Sequence, residues 1–369
     1  MRNQFCPSID DALLLGREPR IAYGDDARQM VAGRRVLVTG AGGSIGSELV
    51  RQLNSLGPDE IYLLDHDESL LHAIQLEIFG DGQLVHERTI LADIRDRQRL
   101  GRLFCDVRPE LVFHAAAHKH VSILERYPSE AVRTNVLGTD NVIRASQISG
   151  VERLTFVSTD KAANPTTVLG GSKRLAEILV QSAATSQLRT ATVRFGNVLG
   201  SRGSFLHTLE HQLSHDQPVT ITHRDAQRYF MSIPEAAALV IEASVEASQG
   251  ETYLLDMGDP VRILELVRRY VELSGHLEPE IIFTGMSPGE KLSETLVDET
   301  EICLPTRNPR ISQVPNVGEK TATPSQIAQI YVDAISGDEA AVRSALWRLL
   351  RREEYDQSLR ASVGAELSV

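Results

Sequence analysis

Three chemically reactive side chains, Thr159, Asp160 and Lys161, stand side by side directly after an apolar run, and Lys173 follows shortly afterwards. A carboxylic acid can protonate a leaving group, and a lysine becomes a base when burial or a cationic neighbour lowers its pKa. Lys173 is a suitable cationic neighbour for Lys161. The cluster therefore predicts acid and base catalysis, with an ordinary Asp-Lys surface pair at a strand end as the alternative interpretation.

A glycine pattern precedes this cluster in the stretch Val36-Leu-Val-Thr-Gly40-Ala-Gly-Gly43-Ser-Ile-Gly46, between a predicted strand and a predicted helix. Glycines permit a positive φ and a close approach of the backbone to a pyrophosphate, and the helix N-terminus supplies N–H donors for the anion. This context predicts a dinucleotide site rather than a merely tight turn. The predicted contacts are Gly40, Gly43, Ser44, Ile45 and Gly46.

Acidic residues at two later strand ends refine this prediction. Asp65 ends the second predicted strand, where its carboxylate can accept hydrogen bonds from ribose hydroxyls and would repel a 2′-phosphate. NAD is therefore favoured over NADP as the cofactor. Asp93 and Ile94 follow another apolar run and suit contact with adenine, with a solvated loop aspartate as the alternative.

The elements that must position these residues alternate between short apolar runs and longer helical patterns, which is typical of repeated βαβ units. Predicted strands cover residues 36–39, 61–64, 111–116, 154–158, 190–195 and 252–255, and predicted helices cover 234–248 and 263–274. The expected fold class is α/β, a Rossmann-like doubly wound parallel sheet with a smaller interleaved substrate-binding lobe. In such sheets ligands bind at the carboxyl ends of the strands, where the candidate residues lie.

The expected organisation has four segments. Residues 1–33 form an N-terminal extension, 34–195 an NAD-binding Rossmann core, 196–316 a substrate lobe interleaved with returning core elements at about 232–275, and 317–369 a C-terminal helical tail. The last residues of that tail are expected to fray.

Composition excludes several classes of protein. The 369 residues include 42% hydrophobic and 24% charged residues with a net charge of −12, which fits a folded enzyme and disfavours a nucleic-acid partner. Because no uninterrupted apolar stretch of ~18 residues occurs, neither a membrane span nor a standard secretion signal is expected. Cys6, Cys105 and Cys303 are odd in number and far apart, so we expect no disulfide framework, no metal site and a reducing cytoplasmic location.

Several motifs resemble a known family. The glycine spacing, His114-Ala-Ala-Ala117, Asn135, Ser158-Thr-Asp-Lys161 and Lys173 resemble the extended short-chain dehydrogenase/reductase superfamily, whose members modify nucleotide sugars. Residues 39–48, Ala117-His-Lys-His-Val121, Arg194-Phe-Gly-Asn-Val-Leu-Gly200 and Pro288-Gly-Glu-Lys291 resemble the polysaccharide-biosynthesis 4,6-dehydratases that act on UDP-N-acetylglucosamine. The resemblance extends over about residues 14–316. It covers the catalytic half of relatives that also carry an N-terminal membrane bundle.

The resemblance implies roles for the reactive residues. Lys161 would remove the C5 proton of the sugar, and Asp160 would protonate the departing C6 oxygen. Lys173 would bind the nicotinamide ribose and stabilise charge at the C4 oxygen, and Ala115, Ala116 and Asn135 would also contact the cofactor. Leu169 stands where most of the superfamily has a tyrosine, so Thr159 together with Asp160 would carry out the first deprotonation, as in a branch that has methionine there.

The same resemblance implies substrate contacts. Asn197, Arg202 and Arg228 would bind the nucleotide and its diphosphate, since arginine grips phosphate oxygens with paired hydrogen bonds. Lys119, His120 and Glu290 are the other expected substrate contacts, with surface roles for the arginines and a packing role for His120 as alternatives. Ser287 stands where relatives usually have an arginine that helps to hold the diphosphate, which favours an unusual nucleotide derivative.

The predicted function is that of an NAD-dependent nucleotide-sugar 4,6-dehydratase acting on UDP-N-acetylglucosamine or a related nucleotide derivative. An epimerase or a dehydrogenase on the same fold is the first alternative, although simple C4 epimerisation needs no acid for a leaving hydroxyl. A non-catalytic protein that binds NAD or a nucleotide sugar is the second, and Leu169 and Ser287 are the features that support it. The resemblance also implies a homo-oligomer, with dimer and hexamer both open.

Overall fold

A computed structural model describes residues 9, 11–19, 21, 23–80, 82, 87–316 and 324–350. Outside these described residues lie 1–8, 10, 20 and 22 of the predicted N-terminal extension, including Cys6, and 317–323 and 351–369 of the predicted C-terminal tail. The strands are β1 (Arg35–Thr39), β2 (Glu60–Asp65), β3 (Thr89–Leu91), β4 (Leu111–His114), β5 (Arg153–Val157), β6 (Arg189–Arg194), β7 (Asn197–Val198), β8 (Val219–Ile221), β9 (Gln227–Arg228), β10 (Phe230–Met231), β11 (Glu251–Leu255), β12 (Val261–Arg262), β13 (Ile281–Phe283), β14 (Leu304–Pro305) and β15 (Ile311–Val314).

Helices fill most of the connections between these strands. They are α1 (Asp11–Leu15), α2 (Asp25–Val31), α3 (Ser44–Ser55), α4 (Glu68–Phe79), α5 (Arg97–Val107), α6 (Val121–Arg126), α7 (Pro128–Ala131), α8 (Thr139–Ser149), α9 (Val168–Ser182), α10 (Phe205–Ser214), α11 (Ile233–Glu246), α12 (Ile263–Ser274), α13 (Pro324–Ser336) and α14 (Glu339–Leu349). A π-helical segment, Val132–Gly138, joins α7 to α8, and a 3₁₀ turn, Asp160–Ala162, follows β5.

The central sheet has nine strands in the order β14-β15-β11-β6-β5-β4-β1-β2-β3. All neighbours from β11 to β3 pair in parallel, and β15 and β14 add antiparallel pairings at one edge. Three two-stranded pairs, β7 with β10, β8 with β13 and β9 with β12, belong to the polypeptide that follows β6. This confirms the predicted doubly wound parallel sheet with a smaller lobe.

Strand β1 shows why these apolar runs form a sheet covered on both faces. Its side chains alternate in direction. Val36 and Val38 pack with α3 and α11, whereas Leu37 packs with α5 and α8 on the opposite face, and all three are fully buried. A parallel strand buried on both faces needs a continuous apolar sequence, which is the pattern that predicted it.

The predicted boundaries agree with the structure to within a few residues. The helix predicted at 263–274 is confirmed, and the one predicted at 234–248 runs over Ile233–Glu246. The strand predicted at 111–116 ends at His114, so Ala115 and Ala116 lie beyond the sheet, on the walls of the cavities described below.

Two further hydrophobic clusters lie outside the sheet's own layers. One joins α10, β8 and α12 of the lobe and includes Leu209, Val219 and Leu266. The other joins α13 and α14 to α7, the π-helical segment and α9. Within the described ranges, no helix has the length and apolar character needed to cross a bilayer.

Candidate active site

The glycine-rich turn is packed so tightly that side chains are excluded at two of its positions. Gly40 has a φ of 69°, and a Cβ there would lie 2.6 Å from the backbone nitrogen of Ala116. A Cβ on Gly46 would lie 1.9 Å from the carbonyl oxygen of Gly40, because the first turn of α3 rests on the end of β1. No side chain caps α3, whose N-cap is Gly43. The turn therefore leaves the N-terminus of α3 open to an anion.

Asp65, at the end of β2, is tied to this turn. Its Oδ2 accepts a hydrogen bond from the backbone N–H of Gly42 at 2.8 Å, and its Oδ1 accepts one from Asp67 N at 3.0 Å. The carboxylate lies on the wall of a cavity of about 220 Å³. The other predicted cofactor residues on that wall are Gly40, Gly43, Asp93, Ile94, Ala115 and Ala116.

Asp93 is held by its neighbour Arg95. The guanidinium donates to Asp93 Oδ2 at 2.6 Å from one nitrogen and 2.8 Å from another. Burial alone would raise the pKa of Asp93, but the hydrogen bonds from Arg95 outweigh it and lower that pKa. Asp93 is therefore an ionised wall of the cavity at neutral pH.

A larger cleft of about 560 Å³ lies at the carboxyl ends of β1, β4, β5 and β6. It brings together most of the residues predicted from the sequence for cofactor, catalysis and substrate. Those on its wall are Gly43, Ser44, Ile45, Gly46, Ala115, Lys119, His120, Thr159, Lys161, Lys173, Asn197 and Arg202.

The Thr159-Asp160-Lys161 cluster forms the 3₁₀ turn after β5. Asp160 is fully buried, and its Oδ1 accepts hydrogen bonds from Thr159 Oγ1 at 2.8 Å and Lys161 Nζ at 3.0 Å. Its Oδ2 is buried and has no hydrogen-bond partner among the described residues. Lys161 Nζ also lies 3.5 Å from Asn197 Oδ1. Asp160 thus sits just behind the wall formed by Thr159 and Lys161 and touches both.

Lys173, on α9, reaches the same cleft from beneath. Its Nζ donates to the carbonyl oxygen of Val157 at 2.7 Å and lies 4.0 Å from the centre of the Phe156 ring. Burial lowers the pKa of Lys173 to about 7, although the charge of Glu177 opposes the shift. The ammonium therefore loses its proton near neutral pH.

His114, the last residue of β4, lies behind the cleft, where its neutral ring hydrogen-bonds two threonine hydroxyls. Its Nδ1 lies 2.7 Å from Thr39 Oγ1 and its Nε2 lies 3.0 Å from Thr139 Oγ1. Complete burial, and then the charge of Lys173, lower the pKa of His114 to about 3. The ring links the ends of β1 and β4 to α8.

Leu169 lies on the cleft wall one helical turn before Lys173. Its side chain is 5% exposed and belongs to the hydrophobic cluster that α13 and α14 complete. A leucine offers no proton-exchanging group, whereas the hydroxyl-bearing residues Ser158 and Thr159 lie on the same cleft wall.

Arg202 of the lobe reaches back to the glycine turn, close to Lys119 and His120 of the core. Arg202 donates from its backbone N–H to Ser44 Oγ at 3.0 Å and from its guanidinium to the carbonyl oxygen of Gly42 at 2.6 Å. Burial, and then the charge of Arg202, lower the pKa of Lys119. The imidazole of His120 lies so close to Gly203 that a Cβ there would be 2.6 Å from the ring. Lys119 and Arg202 thus make one side of the cleft electropositive, whereas burial, and then the charge of Lys119, lower the pKa of His120.

Besides Asp160, three predicted residues lie outside the walls of both cavities. Asn135, in the π-helical segment, is buried, and its side chain bonds the backbone of His118 and donates to Ser172 Oγ at 3.0 Å. Arg228 donates to Glu290 Oε1 at 3.0 Å and to the carbonyl oxygens of Gln227 and Leu292. In this arrangement Arg228 and Glu290 are engaged with each other, and Asn135 supports the cleft from behind.

Sequence reasoning missed the apolar side of the cleft. Its additional wall residues include Phe195, Leu199, Phe205, Leu206 and Phe230. Phe195 directly follows β6 and could have been found, because ligands bind at the carboxyl ends of parallel strands. Phe205 and Leu206 begin α10, and nothing in the sequence marked them.

A buried ion-pair network beneath the cleft was also missed. Glu177 and Arg194 are both fully buried, and Arg194 NH2 lies 2.7 Å from Glu177 Oε2. Arg194 also bonds Glu301 at 2.7 Å, and Ser158 Oγ donates to Glu177 Oε1 at 2.6 Å. Charged residues inside α9 and β6 were a usable signal, because such residues are rarely buried without partners.

Comparison with known proteins supports a family assignment. Residues 36–316 match the family described as polysaccharide biosynthesis protein. The chain is 44% identical over 293 residues to the probable polysaccharide biosynthesis protein EpsC of Bacillus subtilis, covering 78% of this chain and 49% of EpsC. It therefore spans about half the length of that relative.

Two shorter relatives have names that state different reactions. A UDP-N-acetylglucosamine 4,6-dehydratase (inverting) of Campylobacter jejuni is 31% identical over 280 residues, with 74% of this chain and 80% of that protein covered. A UDP-glucose 4-epimerase of Rickettsia bellii is also 31% identical over 281 residues, with the same shares covered.

Solved structures share the fold. The X-ray structure of Pen from Bacillus thuringiensis has a TM-score of 0.70 and 33% identity, covering 77% of this chain and 90% of that one. The dTDP-glucose 4,6-dehydratase DesIV from Streptomyces venezuelae, solved with NAD bound, has a TM-score of 0.63 and 21% identity, covering 72% of this chain and 88% of that one.

Proposed function

The chain belongs to the polysaccharide biosynthesis protein family, and from that premise we propose that it is an NAD-dependent 4,6-dehydratase of nucleotide sugars. Its substrate is UDP-N-acetylglucosamine or a related nucleotide derivative. The proposal is supported by one observation above all, the contact of a buried carboxyl group with both a lysine and a threonine hydroxyl on the cleft wall.

The residues around the glycine turn fit a dinucleotide. The tight packing at Gly40 and Gly46 and the uncapped start of α3 leave backbone N–H groups for a pyrophosphate, and Asp65 suits ribose hydroxyls. Asp93 and Ile94 suit the adenine, and Lys173 suits the ribose next to the nicotinamide. When bound, NAD supplies a hydride acceptor for oxidation of the sugar at C4 and a hydride donor for C6.

The proton transfers fall to the Thr159-Asp160-Lys161 cluster. Thr159 removes the C4 hydroxyl proton, with Asp160 as its hydrogen-bonded acceptor, and Lys173 stabilises negative charge on the C4 oxygen. The C4 ketone acidifies the C5 proton, which Lys161 then removes. Asp160 protonates the C6 oxygen, and water leaves. The buried Oδ2 of Asp160, which has no partner in the part of the chain that the structure describes, supports this role because it has capacity to carry a proton.

Substrate binding is assigned to the electropositive side of the cleft. Lys119, His120, Asn197 and Arg202 line it, and the guanidinium and ammonium groups suit a diphosphate. For Arg228 and Glu290 we propose a supporting role, in which their ion pair orders the segment after β8.

An epimerase is the alternative that a specific comparison favours, since relatives at 31% identity carry that name. Epimerisation at C4 requires one proton acceptor and no acid at C6. The Asp160 and Lys161 contact supplies both an acid and a base, which favours elimination over epimerisation.

The test is incubation of the purified chain and NAD with UDP-N-acetylglucosamine in deuterated water, followed by mass spectrometry and proton NMR. A product that has lost one water and carries deuterium at C5 is expected, and Lys161→Ala should abolish it. A product of unchanged mass with inverted C4 would instead establish the epimerase. Retained NAD with no change in any nucleotide sugar offered would overturn both reactions and support a binding protein.

A further inference from the structure

The helices α13 and α14 form a hairpin, here called the C-terminal hairpin (residues 324–350), that lies after the last family-matched residue. Its side chains Ile330, Val342 and Leu346 are fully buried. They share one hydrophobic cluster with Val168 and Leu169 of α9. The hairpin is thus packed against the helix that carries part of the cleft wall.

The contact reaches the backbone of α9 itself. A Cβ on Gly171 would lie 3.1 Å from Leu346 and 3.3 Å from both Trp347 and Leu350. Gly171 stands between the two cleft residues of α9, Leu169 and Lys173. Because the hairpin rests on the backbone at this point, a shift of α14 transmits directly to the helix.

A polar connection fixes the start of α9. Arg343 of α14 donates to Glu125 Oε2 at 2.5 Å and also bonds the Glu125 carbonyl oxygen. The other carboxylate oxygen of Glu125 accepts from the backbone N–H of Val168 at 2.6 Å. Val168 is the first residue of α9, so Glu125 satisfies a backbone donor that the helix leaves unpaired.

A second polar contact fixes the start of α14. Glu339 accepts hydrogen bonds from the backbone N–H of Ser129 at 2.7 Å and from its hydroxyl at 2.6 Å, at the start of α7. The hairpin is therefore attached at α7, at the α9 N-terminus and along the α9 backbone. Together these attachments define where α9 lies along its own axis.

We propose that the C-terminal hairpin positions α9, and with it Lys173 and Leu169, with Arg343 and Glu125 as positioning residues. Lys173 must keep its Nζ on the Val157 carbonyl and over the Phe156 ring to reach the cleft, which depends on the placement of α9. A misplacement of ~1 Å at a reacting group can lower a rate by ~100-fold. In the test that follows, the measurements of turnover rest on the proposed function, whereas the measurements of amide hydrogen exchange do not.

The test compares Arg343→Gln with Arg343→Lys, which keeps the charge beside Glu125. Asp333→Asn is the control, because Asp333 lies on α13 in an exposed contact with Gln329. For each full-length variant, kcat and KM are measured with UDP-N-acetylglucosamine. Amide hydrogen exchange of the peptide that starts α9 is followed by mass spectrometry, with a peptide from α3 as internal reference.

Arg343→Gln should lower kcat by ~10-fold with KM changed less than ~2-fold, because Lys173 acts on charge that develops during the reaction. It should also speed exchange in α9 and leave α3 unchanged, and Arg343→Lys should restore both. Wild-type exchange in α9 of Arg343→Gln would overturn the proposal, as would faster exchange in both peptides. If the wild type turns over no nucleotide sugar, the proposed function fails, and the exchange result alone still decides on the positioning.

Discussion

Two fully buried carboxylates lie close to the cleft, Glu177 beneath it and Asp160 behind its wall, and they differ in how completely they are paired. Both oxygens of Glu177 accept hydrogen bonds, from Arg194, Arg174 and Ser158. Asp160 has two donors on one oxygen, while its other oxygen is unpartnered within the described part of the chain. A buried polar atom without a partner is costly, and Asp160 Oδ2 is the atom on which we propose that a proton is carried.

The pairing of Glu177 also keeps its carboxylate ionised. Burial alone would raise the pKa of Glu177, but the pairing with Arg194 outweighs it and lowers that pKa. Glu177 is therefore a permanent anion that fixes Ser158, the residue before Thr159, and through Arg194 also the segment around Glu301. Glu177 therefore stabilises the structure around the cleft, and we propose that Asp160 exchanges protons there.

The largest expected effect tests the proposed catalytic role of Asp160. Asp160→Asn should reduce turnover of the nucleotide sugar by ~10²–10⁴-fold, because it removes the group that protonates the leaving oxygen. Thermal unfolding and NAD content should stay near the wild type, since the amide no longer buries a charge. A variant that keeps most of the turnover would remove the distinction between the two carboxylates.

For Glu177, whose role is structural, we expect the opposite pattern, a large loss of stability with a smaller loss of turnover. Glu177→Gln should destabilise the protein by about 3–5 kcal/mol, because it leaves Arg194 buried without its main counter-charge. Chemical denaturation measures this loss. Turnover per folded molecule should fall much less than in Asp160→Asn. Glu242→Gln, on α11 and outside the network, is a control expected to keep stability close to the wild type.

Lys173 connects the two regions, since it lies one helical turn from Glu177 and lines the cleft. Its pKa of about 7 means that the ammonium deprotonates as the pH rises through neutrality. If the charged form stabilises the C4 oxygen, kcat should fall as the pH rises above about 7. Lys173→Arg keeps its charge across this range, so this descending limb of the kcat profile should disappear even if the rate is lower. A limb that persists in Lys173→Arg would assign it to another group.

The fold was largely predictable from the sequence because most of the parallel strands are buried on both faces and so read as apolar runs. The short edge strand β3, in which Leu91 is exposed, was not among the predicted strands. The glycine turn and the polar residues at the strand ends were also predictable, because the topology of a parallel sheet brings the carboxyl ends of its strands together. The pairing of Glu177 was not predictable. It depends on Arg194, which is 17 residues away in sequence, and Arg194 in turn pairs with Glu301. The ion pair that withdraws Arg228 and Glu290 from the cleft wall is likewise a tertiary contact without a local signal.

The smallest expected effect concerns Leu169, the residue that stands in for the usual tyrosine. If Thr159, Asp160 and Lys161 carry all the proton transfers, Leu169→Tyr adds a hydroxyl that no step needs, and kcat should change by less than ~3-fold. Leu169 packs within the cluster formed with the C-terminal hairpin, so the larger ring should cost ~1–3 kcal/mol of stability. Leu169→Met, close to it in volume, is the matched control.

Steady-state kinetics and thermal unfolding of both Leu169 variants decide this point. A strong gain in kcat with tyrosine would mean that the first deprotonation limits the natural enzyme and that Thr159 performs it poorly. The unpartnered oxygen of Asp160 would then serve only the C6 leaving group. If kcat is unchanged in both variants and stability is lost only in the tyrosine variant, Leu169 has a structural role, as Glu177 does. Proton exchange is then left to Asp160 and its two neighbours.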